Sequence, residues 1–394
     1  MKLLFDLNSL RPPRSGVSYY TQHLLEGLLR QPDVEDIAGW VGSTVFREGS
    51  LDALLRAEDA LQKAAQFSVG WKASVLRAAR HVPGVYNSRT LVRAFASAKL
   101  RRDFSRRGYL YHETNFVASR YHGPNVVTIH DLSHRRHPEF HPRVAVGYLD
   151  NGLPRTLKQA QTVIAVSRYT KNEIHEIYGL PDEKVVAIPL GVEPAFQPYG
   201  EEFCATALAQ LNLRYRGFVL SVCTLQPRKN LARLVEAFAR LPRVLRQAFP
   251  LVLIGADGWM NSTLMEQAGP LALAGELITP GYVSRTNLLR FFASAAVFAY
   301  PSLYEGFGLP VAEAMASGVP VLTSNVTSLP EVVAGAALEI DPYSVDEITA
   351  GLERLLVDEA LREELIKRGL RRATELSWGT TVEQTCNVYR SLVS

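Results

Sequence analysis

Cysteine is scarce in this chain: Cys204, Cys223 and Cys386 stand far apart, with no motif around any of them. That spacing excludes a disulfide framework and the familiar zinc patterns, so all three read as packing residues and a reducing cytoplasm is the default location. Long apolar runs are missing too, and nothing approaches the roughly 20 residues a membrane-spanning helix needs. The N-terminus, Met1-Lys2-Leu3-Leu4-Phe5-Asp6-Leu7, turns acidic too soon for a signal peptide and reads as a first strand. The loop behind it contains Gly16 but no full Gly-x-Gly-x-x-Gly, which argues against a nicotinamide enzyme. No nucleic-acid-binding motif and no low-complexity tract is present.

The chain has 394 residues, 47% hydrophobic and 21% charged, which suits a soluble globular protein of two domains. The net charge of +4 is small but uneven. Residues 66–110 carry Lys72, Arg77, Arg80, Arg89, Arg93, Lys99, Arg101, Arg102, Arg106 and Arg107 against Asp103 alone. Apolar residues such as Trp71, Leu76, Leu91 and Phe95 are interleaved, which fits a basic amphipathic surface on anionic lipid. A solvated arginine-rich helix pair explains the same run.

Short apolar runs near Ile37–Val41, Tyr109–His112, Val126–Ile129 and Thr162–Val166 read as strands. Helical stretches around 52–65, 143–160 and 169–178 separate them, and such alternation argues for a parallel sheet covered on both faces. The proline-rich run Glu193-Pro194-Ala195-Phe196-Gln197-Pro198 is the natural interdomain linker, and a second alternating series begins with the strand Phe218–Leu225.

The most informative stretch is Glu305-Gly306-Phe307-Gly308-Leu309-Pro310-Val311-Ala312-Glu313. It follows the apolar strand Val297–Tyr300 and opens a helix that stops at Gly318. The glycines let the main chain approach a ligand, Pro310 suits the first helical position, and free amides at a helix start attract anions. Glu305 in the loop and Glu313 in the first helical turn, eight residues apart, flank that point and can accept hydroxyl hydrogen bonds. A nucleotide sugar, with a diphosphate between two polyols, has that layout. The bland alternative leaves Glu313 complementing the helix dipole and Glu305 solvated.

With its interior filled in, the Glu-x7-Glu motif resembles the retaining glycosyltransferases of family 4. The resemblance runs from Lys2 to nearly the last residue and is weakest between about 45 and 110. It implies an α/β chain of two facing Rossmann-like domains, the GT-B architecture: residues 1–195 for the acceptor, 196–375 for the nucleotide sugar, and a terminal helix in 376–394 crossing back to the first domain. Arg228 and Lys229, behind a strand in Gln226-Pro227-Arg228-Lys229-Asn230, would neutralise the donor diphosphate with the amide of Leu309 beside Gly308, and Glu305 would grip the sugar and Glu313 the ribose. Many members carry a further arginine where this chain has Thr224, which casts Arg228 as a substitute. His130 would orient the transferred sugar, Asp131 meet the acceptor, Gly16 lie near the diphosphate, and Tyr282 and Val283 line the base, although an ordinary strand end explains the last two equally well.

Attack from the leaving-group face is implied, with a phosphate oxygen taking the acceptor's proton. No cofactor and no metal are implied, since the basic pair neutralises the charge and no Asp-x-Asp motif is present. His130, His134, His137 and His141 invite a metal reading, but Pro138 and Pro142 interrupt the helix that would align them. Close likeness to bacterial polysaccharide and O-antigen enzymes favours GDP-mannose as donor and a glycan or lipid-linked glycan as acceptor, at the cytoplasmic face of the inner membrane. A nucleotide-sugar epimerase of the same architecture and a noncatalytic glycan-binding scaffold are the competing classes.

Overall fold

The structure, a computed structural model, describes residues 1–11, 16–42, 44–56, 98, 100–255, 262–281 and 283–393. Most of the basic run 66–110, and Tyr282, lie outside the described residues. The chain divides into two compact units, Met1–Leu190 with Trp378–Ser394, and Gly191–Ser377.

The first unit holds a seven-stranded sheet in the order β3-β2-β1-β4-β5-β6-β7. Its strands are β1 Lys2–Asp6, β2 Asp36–Val41, β3 Thr44–Arg47, β4 Leu110–Glu113, β5 Asn125–Ile129, β6 Thr162–Ala165 and β7 Val185–Ala187. All pairs are parallel except β2 with β3. The strands expected from the sequence are present, whereas β3 is an addition. Its largely exposed side chains carry no buried apolar pattern, so an antiparallel edge strand left no signal to read. The helix Trp378–Val393 belongs to this unit, packing against the helix Gly16–Leu28.

The second unit holds six parallel strands in the order β10-β9-β8-β11-β12-β13. They are β8 Val219–Val222, β9 Leu251–Ile254, β10 Leu277–Gly281, β11 Val297–Tyr300, β12 Val321–Ser324 and β13 Leu338–Ile340. Strands buried on both faces read as continuous apolar runs, as Val297-Phe298-Ala299-Tyr300 does. The helix Leu231–Arg240 turns Leu231, Leu234, Val235 and Phe238 inward, the spacing of a single helical face, into the core beneath β8 and β9.

The boundary is corrected at both ends. It falls at Leu190/Gly191 rather than 195/196, because the expected linker is packed into the second unit. Glu193 pairs with Arg285 there, and the Phe196 ring meets Phe292 edge-on at 5.2 Å. At the other end the amide of Val192 donates to the carbonyl of Leu376, so the second unit runs to Ser377 and the returning helix begins at Trp378 rather than 376.

Candidate active site

In an open parallel sheet, the place where the strand order reverses leaves a crevice at the carboxyl ends of two neighbouring strands. In the second unit those strands are β8 and β11, neighbours in space but far apart in sequence. The loop after β8 carries Arg228 and Lys229, and the loop after β11 carries Glu305. Topology brings the three together. Asn230, in a left-handed conformation at φ 60°, binds the carbonyls of Pro301 at 3.0 Å and Pro342 at 2.6 Å, which fastens one loop to the other.

Glu305 is the hub of the cluster. Its Oε2 accepts from Arg228 Nη1 at 3.0 Å, and its Oε1 accepts from Ser302 at 2.7 Å, Tyr300 at 2.9 Å and the Lys229 ammonium. Lys229 Nζ also donates to the Tyr300 hydroxyl at 2.6 Å and sits 5.1 Å from the centre of that ring. Lys229 and Glu305 are each only 7% exposed, so Glu305 is not the solvated acid of the bland reading and Lys229 is no surface charge. Burial pushes the Glu305 carboxyl up, but Lys229 and Arg228 more than cancel this and hold it at about 2. Burial, then the neighbouring Arg228, lowers the Lys229 ammonium against the pull of Glu305. A cation at the start of the helix Leu231–Arg240 opposes the dipole. The reason it is tolerated is Glu305.

The glycine turn is built as the motif suggests, with two changes. Gly308 caps the helix at φ 103°, and an added Cβ would lie 2.6 Å from Leu329 Cδ2, so glycine is required on both counts. Leu309 is the first helical residue, which places Pro310 second rather than first. Glu313 is therefore past the first turn, and the half-buried side chain cannot be credited to the helix dipole. Ser328 spans the turn from below, donating to the carbonyls of Glu305 at 2.9 Å and Phe307 at 3.0 Å. Thr327, β-branched yet at φ 61°, receives the amide of Glu305 on its hydroxyl at 3.3 Å. Such strain, of order 1–3 kcal/mol, persists where the surroundings over-determine it and gathers at ligand sites. Val283 is half-buried just beyond β10.

In the first unit the order reverses between β1 and β4. His130 follows β5, half-buried, with its Nε2 donating to the Thr114 carbonyl at 2.8 Å and Tyr20 edge-on at 5.0 Å. Burial lowers its pKa, so the ring is neutral near pH 7 and the Thr114 bond places its proton on Nε2. Asp131 Oδ1 accepts from the amide of Ser133 at 3.0 Å and its hydroxyl at 2.7 Å, holding the turn that follows. Gly16 is the first, exposed residue of the helix Gly16–Leu28, and nothing lies within 4 Å of an added Cβ, so the scaffold does not require glycine there.

His112, to which the sequence assigned no role, lies at the centre of a buried network. Its Nδ1 meets the Tyr389 hydroxyl at 2.6 Å and its Nε2 the Thr128 hydroxyl at 2.8 Å, and Tyr20 reaches the same Thr128 at 2.8 Å. Burial pushes the His112 ring down to about 3, and the network keeps it neutral. The sequence reading also missed Tyr300 and Ser302. Both sit where an apolar strand gives way to the loop of the motif, the position at which open sheets present side chains to ligands. Among the described residues no group of three or more histidine, cysteine or acidic side chains is arranged to hold a metal.

Two family descriptions match the chain: Glycosyltransferase Family 4 over residues 14–196 and Glycosyl transferases group 1 over 210–372. The O-antigen chain mannosyltransferase B of Escherichia coli is 32% identical over 392 residues, covering 100% of both chains. The chain belongs to glycosyltransferase family 4. A second relative of this family 4 enzyme is the MMP alpha-(1->4)-mannosyltransferase of Mycolicibacterium hassiacum, 33% identical over 61% of this chain and 56% of its own length. Among solved structures, Anabaena HepE in complex with UDP and glucose superposes with a TM-score of 0.70 at 18% identity over 100% of both chains. WaaG, described as a glycosyltransferase involved in lipopolysaccharide biosynthesis, gives 0.64 at 15% identity over 98% of this chain and 99% of its own. The fold of the family 4 transferase is GT-B, two parallel-sheet α/β domains.

Proposed function

We propose that this glycosyltransferase moves mannose from GDP-mannose to a glycan or lipid-linked glycan in bacterial polysaccharide synthesis, with retention at the anomeric carbon. The carrying observation is the likeness, over the full length of both chains, to an O-antigen mannosyltransferase. The second unit takes the donor and the first handles the acceptor. Cleaving a nucleotide sugar builds charge on the leaving diphosphate, and donors fixed in advance where charge develops supply the largest share of catalysis. Lys229 and Arg228, with the Leu309 amide beyond Gly308, fill that role, Glu313 reads the ribose, and Val283 with Tyr282 lines the base. Neutral His130 orients the sugar by hydrogen bonding, Asp131 contacts the acceptor, and Gly16 keeps the approach to the diphosphate open. A phosphate oxygen takes the acceptor's proton on the face the leaving group departs from, and two cations make a divalent ion unnecessary.

The test is turnover with a panel of nucleotide sugars on a mannan-type acceptor, with the anomeric configuration of the product read by NMR. The expected result is transfer from GDP-mannose with an α product, unchanged by EDTA. A UDP-sugar donor is the second reading, favoured by the UDP and UDP-glucose in the HepE structures. Turnover with UDP-glucose and none with GDP-mannose would establish it, and an epimerised donor in the absence of acceptor would establish an epimerase. Attachment to the cytoplasmic membrane face through the basic run 66–110 is part of the proposal, and equal sedimentation with neutral and anionic liposomes would remove it.

A further inference from the structure

We propose that the second unit carries a further binding site, for a phosphate ester of a polyol, in a recess at the edge of its sheet opposite the donor loops. The recess measures about 530 Å³ and lies between the helix Glu359–Glu375 and the turn Ala334-Gly335-Ala336. That turn leads into the amino end of β13, whereas Arg228, Lys229 and Glu305 follow the carboxyl ends of β8 and β11. In a parallel sheet those ends are opposite, so the recess is no part of the crevice described above.

The helix buries one face and leaves its charges on another. Leu365 and Gly369 are its buried residues, and a Cβ added to Gly369 would lie 3.3 Å from Met315 Cβ, so on that side it runs close against the helix Leu309–Ala316. Glu364, Lys367, Arg368, Arg371, Arg372 and Glu375 recur at helical spacing along the recess, four cations against two acids. Both acids are already matched, Glu364 by Arg368 at 2.7 Å and Glu375 by Arg372 at 2.5 Å. Lys367 has a loose, exposed pair with Glu363 at 4.0 Å, which is worth little, and Arg371 makes no ion pair among the described residues. Two positive charges are left over. The helix dipole attracts cations only within the last turn, which takes in Arg372 but not Lys367 or Arg371.

The opposite wall is main chain, with no side chain there longer than a methyl. Ala334 and Gly335 are both left-handed, at φ 48° and 79°. The amides of Ala334 and Ala336 donate to the carbonyls of Pro330 and Val333 at 2.9 Å each, and that of Gly335 has no partner among the described residues. Turns of this kind offer main-chain donors to anions. Arg372 fastens the two walls together, donating through Nε to the Val332 carbonyl at 2.9 Å and through Nη2 to that of Glu331 at 3.0 Å. Guanidinium forks match phosphate oxygens, an ammonium adds a point charge, and carboxylates on the same rim accept from hydroxyls. Recesses of about 300–1,000 Å³ take small organic ligands, so this one has room for more than a lone inorganic ion. Phosphate joined to a polyol is the chemistry that uses both kinds of group.

A polyol phosphate reaches such a recess either free in solution or as a lipid headgroup, and the experiment separates the two. The probes are mannose 6-phosphate, free mannose, and vesicles of phosphatidylglycerol or phosphatidylcholine, each with the full-length chain in excess GDP to keep the donor crevice occupied. Wild type is compared with Lys367→Ala/Arg371→Ala, two exposed positions, and with Arg106→Ala/Arg107→Ala, an exposed basic pair of the first unit. Calorimetry is expected to show binding of mannose 6-phosphate and none of mannose. The affinity should fall about tenfold or more in Lys367→Ala/Arg371→Ala, the size of lost hydrogen bonds to a charged group, and stay unchanged in the other pair. Sedimentation with phosphatidylglycerol and not phosphatidylcholine, lost in Lys367→Ala/Arg371→Ala, would assign the headgroup as the source. Equal affinity for mannose and its phosphate overturns the site, as does an equal loss in both double variants, which makes the effect one of net charge. Ester and vesicle binding that Lys367→Ala/Arg371→Ala leaves untouched, or a wild type that binds neither, overturns it as well.

Discussion

Each unit has a strand-order reversal in a largely parallel sheet, and the buried networks beside the two reversals differ in kind. Between β8 and β11 the groups are ionised: a buried carboxylate joined to a lysine and an arginine. In the first unit Asp6 and the buried Glu113 end the two strands at the reversal, and beside them runs a neutral chain of hydrogen bonds through Tyr389, His112, Thr128 and Tyr20. A buried charge carries a desolvation cost and is kept only where paired, whereas a neutral network needs every partner to be present. On the proposed function, the charged cluster of the second unit is the one placed to meet a polyanionic donor.

Lys229→Ala tests that comparison hardest. A basic pair read as exposed would cost rate and little else, but Lys229 is buried and paired, so both should suffer. We expect transfer to fall at least about a hundredfold, the scale of one lost charge-stabilising donor. The second unit should lose about 3 kcal/mol as Glu305 is left half-paired, measured by urea denaturation. Loss of activity with unchanged stability would show that the ion pair has no structural role.

The next largest effect lies in the neutral network of the first unit. Thr128→Ala strips the hydroxyl shared by His112 and Tyr20 and should destabilise the first unit by about 1–3 kcal/mol, with the loss localised by hydrogen exchange. Loss of protection in the second unit instead would show that the two networks are not independent.

Acid separates the units in order. All nine histidines precede Leu190, so the second unit has none. His112 is held at about 3 against the ordinary 6.5 of a free imidazole, so below pH 6.5 the unfolded chain gains a proton that the folded one refuses. Its contribution is whole above that pH and declines toward pH 3, by about 1.4 kcal/mol per pH unit. His130 and His134 are lowered in the same direction. Glu305, lowered from 4.5 to about 2, stabilises the second unit above pH 4.5, and its contribution is lost between those values. At pH 5, exchange should therefore accelerate in the first unit while the second stays protected, and equal acceleration in both would break the comparison.

The smallest effect is expected from Glu313→Gln. Its half-buried side chain lies beyond the first helical turn, so stability should hold within about 0.5 kcal/mol, as for substitutions away from strained or buried features. If Glu313 reads the ribose as proposed, KM for the donor should rise by about tenfold, the size of a lost charge-assisted hydrogen bond, as initial rates would show.

Much of this was readable in the residues. Apolar runs of four marked β9 and β11, and shorter apolar stretches with threonine marked β5 and β6, because a strand covered on both faces is largely apolar. The Gly308 turn was legible because a left-handed backbone pressed against Leu329 admits glycine alone. Edge strand β3 was not, and neither was the real boundary at Leu190, since the proline-rich run resembles a linker yet packs through Phe196.

The sequence by itself determined the strand-turn-helix units, the glycine that one of them requires, and the types of group each loop carries, because these depend on local backbone geometry and on spacing along the chain. Partnership was decided only by tertiary structure. Glu305 lies 76 residues from Lys229 and Tyr389 lies 277 from His112. Parallel strands joined by long crossovers bring such residues together, and no local pattern records which carboxylate a buried lysine will find or which hydroxyl a buried histidine will keep.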